Sequence, residues 1–237
     1  MSARALNLPP LFSGLEVKAP ADPFDLACQH AREGCDSGLV VYAIGLDRLR
    51  AAIVFAPEVP LQKAMAVLPA CGLGFQNAFG SLAPPETALN LTWDGMILLN
   101  RARSGALKIA CDTTDPDMVP GWLVVGLDLV LMSFSDAPGE TPDQTALNEE
   151  GCGDIAPSEL LEAWLRHSLY WINQWSEDGP RRLHRDWQGI LSGVGEPVTV
   201  AGKPGVLLGI DAEFGALLKG ETTITVPLSD CVNRGVG

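Results

Sequence analysis

The chain has 237 residues, of which 47% are hydrophobic, and a formal net charge of −13. This length and apolar content suffice for one large core or two unequal ones and exclude a largely disordered chain. A charge this negative repels nucleic-acid backbones and anionic lipids, and no apolar run reaches the ~20 residues of a membrane span. The N-terminal segment lacks the continuous apolar stretch of a signal peptide. We therefore predict a cytoplasmic protein that binds neither nucleic acid nor membranes.

The negative charge is concentrated between Lys108 and Arg166, a stretch that contains no other Lys or Arg. Twelve acidic residues lie within it: Asp112, Asp115, Asp117, Asp128, Asp136, Glu140, Asp143, Glu149, Glu150, Asp154, Glu159 and Glu162. We interpret the stretch as a solvated acidic surface that aids solubility, in preference to a docking patch for a basic partner.

The first elements are a helix and a β-hairpin. Asp22 and Pro23 are a typical N-cap and first helical residue, and they predict a helix that ends near Gly34. Residues 39–44 and 50–55 are two β-type runs separated by a short turn, which predicts a hairpin.

Apolar residues then recur at helical spacing from Leu61 to Leu82 and predict a long amphipathic helix. We expect Pro69 to kink or divide this helix, and Gly72 and Gly74 to allow close packing within it. Apolar runs of strand type follow at residues 88–93, 96–99, 106–111 and 122–133.

The composition changes again after these strands. Residues 135–157 are rich in Gly, Pro, Asp and Thr, which predicts an exposed loop. Ser158 is the expected cap of a helix that runs through Trp175 and ends at Gly179 and Pro180. We interpret the helix-spaced tryptophans as core: Trp164, Trp171 and Trp175.

Short strands punctuated by glycines make up the C-terminal part, at residues 197–200, 206–210, 216–218 and 223–226. They predict a five-stranded barrel of the SH3 type. We place the domain boundary between residues 1–188 and 189–237. Apolar residues in the short connection predict that the barrel packs on the first domain.

Little chemistry is visible in the residues alone. The three histidines are far apart, and the six cysteines lack CxxC spacing, so we predict reduced thiols and no metal site. The chain has no GxSxG, P-loop or GxGxxG motif.

Four collinear segments of the chain resemble the biotin/lipoate protein ligase family, and the biotin–protein ligases in particular. Residues 91–99, LTWDGMILL, stand where the family has Lys-Trp-Pro-Asn-Asp and an apolar strand. Residues 101–107, RARSGAL, are similar to its Arg-Lys-x-Ala-Gly-Ile-Leu strand, and residues 122–128, WLVVGLD, to its Val-Ile-Gly-Ile-Gly-Leu-Asn strand. Residues 208–218 resemble the Gly-Ile-Asp motif of its C-terminal domain.

The resemblance implies an α+β fold: a mixed sheet flanked by helices, of the class II synthetase and biotin–protein ligase type, followed by a small SH3-like barrel. It further implies ATP-dependent transfer of biotin or a related acid to a protein lysine through an acyl-adenylate, with ATP and Mg²⁺ as cofactors. The implied partners are a small carboxylic acid and an acyl-acceptor protein.

The same resemblance identifies the candidate site residues. The family's second lysine has no direct match, and Arg101 or Arg103 is expected to reach the same space as the catalytic cation. The candidate ligand-binding residues are Arg48, Arg50, Trp93, Asp94 and Asp128. Trp93 is expected either as a pocket wall or as a core residue, two readings that the sequence leaves open.

Several family motifs are altered. The Gly- and Arg-rich loop that closes over the adenylate corresponds to residues 45–50, which keep Arg48 and Arg50 without the run of glycines. Thr92 replaces the lysine of Lys-Trp-Pro-Asn-Asp, and residues 94–96 replace its last three residues. Asp128 replaces an asparagine, and residues 20–22 replace Ser-Thr-Asn.

Each preorganised donor lost from such a site typically costs ~10²–10³ in rate. Two readings therefore stand: an active ligase, or a catalytically degenerate relative that binds a small carboxylate or a partner protein. A third is acyl transfer without ATP by a nucleophilic cysteine, Cys71 or Cys111, although Cys71 lies on an apolar helical face. We also predict that the protein binds ATP weakly at most.

Overall fold

The computed structural model describes residues 6–133 and 143–232 of the chain. Seven strands form the larger sheet: β1 (Ser13–Glu16), β2 (Leu39–Ile44), β3 (Arg48–Phe55), β4 (Leu89–Leu91), β5 (Met96–Leu99), β6 (Ala102–Cys111) and β7 (Leu123–Val130). Their order across the sheet is β1-β2-β3-β7-β6-β5-β4. Strands β1 and β2 pair in parallel and the other neighbours pair antiparallel, so the sheet is mixed.

The described residues form five α-helices: α1 (Pro23–Arg32), α2 (Leu61–Ala64), α3 (Val67–Gly80), α4 (Pro157–Asp178) and α5 (Pro180–Ile190). Helices α3 and α4 pack together over one face of the large sheet and bury the main core. Helix α1 covers part of the opposite face through Ala27, Cys28 and Ala31. The mixed sheet flanked by helices confirms the predicted architecture of the first part of the chain.

Strand alternation determines which side chains face each layer. Leu49, Ala51 and Ile53 of β3 belong to the core beneath α3 and α4. Arg48 and Arg50 therefore lie on the opposite face, beside α1. Gly126 of β7 is on this face too, and a side chain there would collide with the ring of Phe24, which packs directly on the sheet. Helix α1 leaves the remainder of this face uncovered.

The start of α1 agrees with its prediction. Asp22 is the N-cap, and its Oδ1 accepts hydrogen bonds from the backbone N–H groups of Phe24, at 2.8 Å, and Asp25, at 3.4 Å. The same cap fixes the end of α1 nearest to β3, because Asp22 Oδ2 accepts from Arg50 Nη1 at 3.3 Å.

Two helix predictions need correction. The chain does divide between α2 and α3, but the break lies at Met65 and Ala66, while Pro69 sits in the first turn of α3. Proline is tolerated there because the first N–H groups of a helix have no intrahelical partner. Helix α4 begins at Pro157 with Ala156 as its N-cap, so Ser158 is not the cap.

Helix α4 ends at Gly179 as predicted, but Pro180 immediately starts α5, which the sequence analysis missed. Pro180 has the dihedral constraint that suits a first helical residue as well as the end of a preceding helix. Strand β1 was also missed. Within the described residues, no helix is long and apolar enough to cross a bilayer.

The predicted exposed loop at 135–157 lies partly outside the described residues. Its described part, from residue 143, contradicts the prediction, because Ala146, Leu147 and Cys152 are buried. The backbone explains this: Leu147 N–H donates to Val130 O at 3.1 Å, so the segment continues along the end of β7. Composition alone does not reveal such docking.

The smaller sheet contains β8 (Pro197–Val200), β9 (Lys203–Ile210), β10 (Ala216–Lys219) and β11 (Thr223–Val226). These strands are antiparallel in the order β11-β10-β9-β8. Among the described residues this sheet has four strands and is open, so the closed five-stranded barrel stays a prediction. Leu207, Leu218 and Val226 bury its inner face in continuity with the main core.

Candidate functional site

A cleft of about 570 Å³ lies on the face of the large sheet that α1 leaves uncovered. Its floor comes from β3, β5, β6 and β7, and residues 144–149 contribute to its rim. Pockets of 300–1,000 Å³ typically hold small molecules. The cleft is thus large enough for a small organic ligand.

Three cations line the cleft, one on β3 and two on β6: Arg48, Arg103 and Lys108. Arg48 Nη1 forms an ion pair of 2.7 Å with Asp128 Oδ1 of β7. Arg103 and Lys108 form no ion pair with any residue that the structure describes. Two cations without an ion pair in the described part of a chain with a net charge of −13 make this cleft suited to an anion.

Arg103 is held in place through its backbone. Its N–H donates to Asp143 O, and its carbonyl accepts from Thr145 N–H, both at 2.8 Å. These bonds attach residues 143–145 to β6 and form one side of the cleft. The guanidinium group itself stays exposed.

Ser104 is the extra residue at a β-bulge between β5 and β6. The register pairs Ile97 with Gly105 and Leu98 with Arg103, so Ser104 has no opposite residue. Ser104 lines the cleft and is fully buried, and its hydroxyl has no hydrogen-bond partner in the described part of the chain. An unpaired buried hydroxyl costs about 1–3 kcal/mol.

A third arginine, Arg50, lies next to the cleft. Arg50 is opposite Asp128 in the sheet register, and it donates to Asp22 at 3.3 Å. Between α1 and the sheet, Arg50, Lys108 and Asp128 line a small pocket of about 10 Å³, the space of roughly one water molecule. Arg50 is therefore at the edge of the site and already has a partner.

The hairpin beside the cleft is tight. Only Gly45, Leu46 and Asp47 separate β2 from β3, and Gly45 N–H donates to Arg48 O at 2.8 Å to close the turn. A turn this short has no reach across the cleft. The segment that corresponds to the family's adenylate-covering loop is therefore a simple hairpin turn here.

The structure brings together Arg48, Arg103 and Asp128 in the cleft, with Arg50 at its edge. Three other candidates lie elsewhere. Trp93 is 2% exposed and donates from Nε1 to Phe214 O at 2.7 Å, so it is a core residue and not a wall of this cleft.

Asp94 and Arg101 occupy turns outside the cleft. Asp94 Oδ1 accepts from Thr92 Oγ1 at 2.5 Å in the turn between β4 and β5. Arg101 is at the tip of the β5–β6 hairpin with φ +78°, and its side chain is 88% exposed and 3.9 Å from Glu196. Neither side chain lines the cleft.

Sequence reasoning missed Lys108 and Ser104. Lys108 was detectable, because it is the single charged residue within the predicted apolar run at 106–111 and shares the alternation of Ala106 and Ala110. Ser104 gave no signal in the sequence, because its burial depends on the bulge.

The two candidate cysteines, Cys71 and Cys111, are poor nucleophiles. Burial raises the pKa of the Cys71 thiol to about 12, and it also raises the pKa of Cys111, whose Sγ lies 2.9 Å from Thr113 O. A raised pKa leaves little reactive thiolate at neutral pH. Within the described residues, no three His, Cys, Asp or Glu side chains are grouped so as to hold a metal ion.

Comparison with solved structures gives two kinds of match. A biotin protein ligase-like protein of unknown function from Silicibacter sp. TM1040 is 54% identical, with a TM-score of 0.92, over 97% of this chain and 100% of that chain. Biotin protein ligase from Aquifex aeolicus is 17% identical, with a TM-score of 0.71, over 91% and 96%. Its complex with biotin and ATP is 16% identical, with a TM-score of 0.70, over 91% and 95%.

The Aquifex matches are too distant in sequence to show more than a shared fold. No curated protein matches the sequence. The model of the biotin/lipoate A/B protein ligase family matches residues 8–189, which include β1 to β7 and all five helices except Ile190, the last residue of α5. This match covers well over half of the chain, and it agrees with the sheet order, the flanking helices and the close Silicibacter relative. The chain belongs to the biotin/lipoate A/B protein ligase family.

Proposed function

We propose that the protein binds a small carboxylic acid in the sheet-face cleft and does not carry out the acyl-adenylate step. The observation that carries this proposal is that two cations of the cleft, Arg103 and Lys108, have no ion pair among the described residues, and that the hydroxyl of the neighbouring Ser104 has no partner there. A carboxylate is a suitable partner for either cation, since it accepts several hydrogen bonds and carries one negative charge.

The cleft also has an apolar surface for the hydrocarbon part of such an acid. Met96, Ala106 and Val130 line the same cleft and offer contact to a hydrocarbon or ring system. The acid therefore has a polar end at β6 and an apolar end across the sheet. This division fits the acids that the family's ligases use, biotin among them.

ATP fits less well. The turn of Gly45, Leu46 and Asp47 is too short to cover a nucleotide, and Asp128 places a carboxylate among the cations. We therefore derive no step through ATP or Mg²⁺. In this proposal residues 1–188 form the binding domain and residues 189–237 a small domain packed against it.

Calorimetric titration of the purified protein with biotin, lipoate and octanoate tests the proposal. We expect at least one acid to bind, and Arg103→Ala to weaken it by about tenfold or more, the usual effect of losing a charge-assisted hydrogen bond. Arg101→Ala is the matched control, because this arginine lies two residues away and outside the cleft. Binding of none of the acids, or an equal loss in both variants, would contradict the proposal.

A second candidate is ATP-dependent acyl transfer to a lysine of an acceptor protein. The observation in its favour is the cleft volume of about 570 Å³, which exceeds what a small acid alone fills. Acid-dependent exchange of pyrophosphate into ATP distinguishes the two, because only adenylate formation supports it. Exchange that depends on Arg103 but not on Arg101 would replace the binding proposal with ligase activity.

A further inference from the structure

Asp128 occupies the centre of the charged face of the large sheet. On β7 it is directly opposite Arg50 of β3 on one side and Ala106 of β6 on the other. Arg48 and Lys108 each lie two residues further along those neighbouring strands, at diagonal positions of the same face. Diagonal neighbours in a sheet are within reach of long side chains.

The ion pair with Arg48 changes what the cleft offers a ligand. Arg48 Nη1 is 2.7 Å from Asp128 Oδ1, so a carboxylate already offsets the charge of this guanidinium. Arg103 and Lys108 are then the cleft cations left without an ion pair in the described chain. A ligand with one negative charge needs no more than these two.

A phosphate polyanion is repelled by the carboxylates of the cleft more than a monocarboxylate is. It carries several charges and spreads its oxygens over more of the cleft, where the carboxylates of Asp128 and Glu149 both line the wall. The negative charges of the phosphate and of these carboxylates repel strongly when both lie in the same partly desolvated cleft. Repulsive groups of this kind are a usual means of rejecting a wrong ligand.

The ion pair between Arg48 and Asp128 contributes little to the stability of the fold. The side chains of Arg48 and Asp128 are 45% and 22% exposed, and ion pairs this open to solvent contribute little to folding. Its position in the ligand cleft is therefore better explained by an effect on the ligand.

We propose that Asp128 determines the charge selectivity of the cleft: by occupying Arg48 it admits monocarboxylates and excludes phosphate polyanions. This inference rests on the proposed function only in placing both kinds of ligand in the same cleft. Asp128 is a specificity-determining residue in this view, with no part in any chemical step.

The test compares binding of inorganic pyrophosphate and of octanoate to the full chain at low salt. Asp128→Asn is expected to raise pyrophosphate affinity by about tenfold or more, because it removes one charge and frees Arg48. Added salt should reduce the gain, since it screens exposed charges. Octanoate affinity should change less, which makes the effect one of selectivity.

Two variants serve as controls. Asp47→Asn removes the same charge from the exposed hairpin turn outside the cleft, and it should leave pyrophosphate affinity unchanged. Combining Asp128→Asn with Arg48→Gln should cancel the gain. If Asp128→Asn does not fold, Asp128→Ser removes the same charge with a smaller side chain and must show the same gain.

An Asp128→Asn protein that binds pyrophosphate no better than the wild type, or no better than Asp47→Asn, would overturn the inference. A different result would contradict the proposed function, namely that no carboxylic acid binds the wild type, whatever the pyrophosphate result. A gain in pyrophosphate affinity in the absence of acid binding would thus support the role of Asp128 and reject the acid as ligand.

Discussion

The indole N–H of Trp93 donates a hydrogen bond to the backbone carbonyl of Phe214, 2.7 Å away. Trp93 lies between β4 and β5 of the large sheet, and Phe214 lies between β9 and β10 of the small one. Both residues are buried. One side chain thus joins the two sheets through a bond that its ring shields from water.

Trp93→Phe should lower the free energy of unfolding by about 1–3 kcal/mol more than packing loss alone, because it leaves the buried Phe214 carbonyl without a donor. Trp187→Phe is the matched control. Trp187 is fully buried, but its N–H has no partner in the described part of the chain, so its removal strands no acceptor. Urea unfolding measures both variants. Equal losses would show that the hydrogen bond adds nothing beyond packing.

Gly74 permits the close approach of α3 and α4. A Cβ at this position would lie 2.5 Å from Ser168 Oγ and 2.7 Å from Ser168 N. Gly74→Ala should therefore destabilise the protein by about 1–3 kcal/mol, the usual cost of overpacking. Gly80→Ala, in the same helix but with nothing within 4 Å, should be neutral or slightly stabilising. Thermal melting that ranks the two variants in the other order would contradict this packing.

Buried thiols make stability fall at alkaline pH. Burial raises the pKa of Cys28 to about 11 and that of Cys71 to about 12, from 9.0. Between pH 9 and pH 11 the unfolded chain releases these protons and the folded chain keeps them, so the free energy of unfolding decreases as the pH rises. Cys71→Ala should make the decrease shallower, as followed by urea unfolding at several pH values. Cys35→Ala should change the slope less, because Cys35 is only partly buried. An unaltered slope in Cys71→Ala would contradict the assignment.

The boundary between residues 1–188 and 189–237 stays a prediction, and proteolysis tests it. Ser192 N–H donates to Leu91 O at 2.7 Å, and Leu191 forms a parallel bridge with Leu91. These contacts lie at the proposed junction and hold it against the large sheet. We therefore expect limited trypsin digestion to cleave the chain slowly near the junction. Rapid release of an intact N-terminal fragment would instead indicate a flexible tether. Digestion in a moderate concentration of urea, which weakens the contacts at the junction, provides the faster cleavage rate for comparison.

Local chemistry explains which elements were predictable. The start of α1 depends on Asp22, which caps the helix within two residues, so the signal is contained in the sequence. Strand β1 has four residues, SGLE, and depends on pairing with β2. The docking of residues 144–152 depends on β6 and β7 in the same way. Such tertiary pairing leaves no local pattern.

The site residues also fall into those that the sequence predicts and those that depend on tertiary structure. Arg48, Arg103 and Asp128 were expected from the family resemblance and do meet in the cleft. Trp93 was expected at a ligand wall or in the core, and a tryptophan at a strand end fits both until its neighbours are known. Ser104 depends on a bulge that only the register between β5 and β6 defines.

The short turn of Gly45, Leu46 and Asp47 has a kinetic consequence. In many enzymes that cover their ligand with a loop, the opening of the loop limits the rate of release. On this side of the cleft the turn offers no such cover, so exchange there is limited by the contacts the ligand makes. Under the proposed function, residence times should then follow affinity directly, which suits the binding and release of an acid and ill suits the shielding of a reactive intermediate from water.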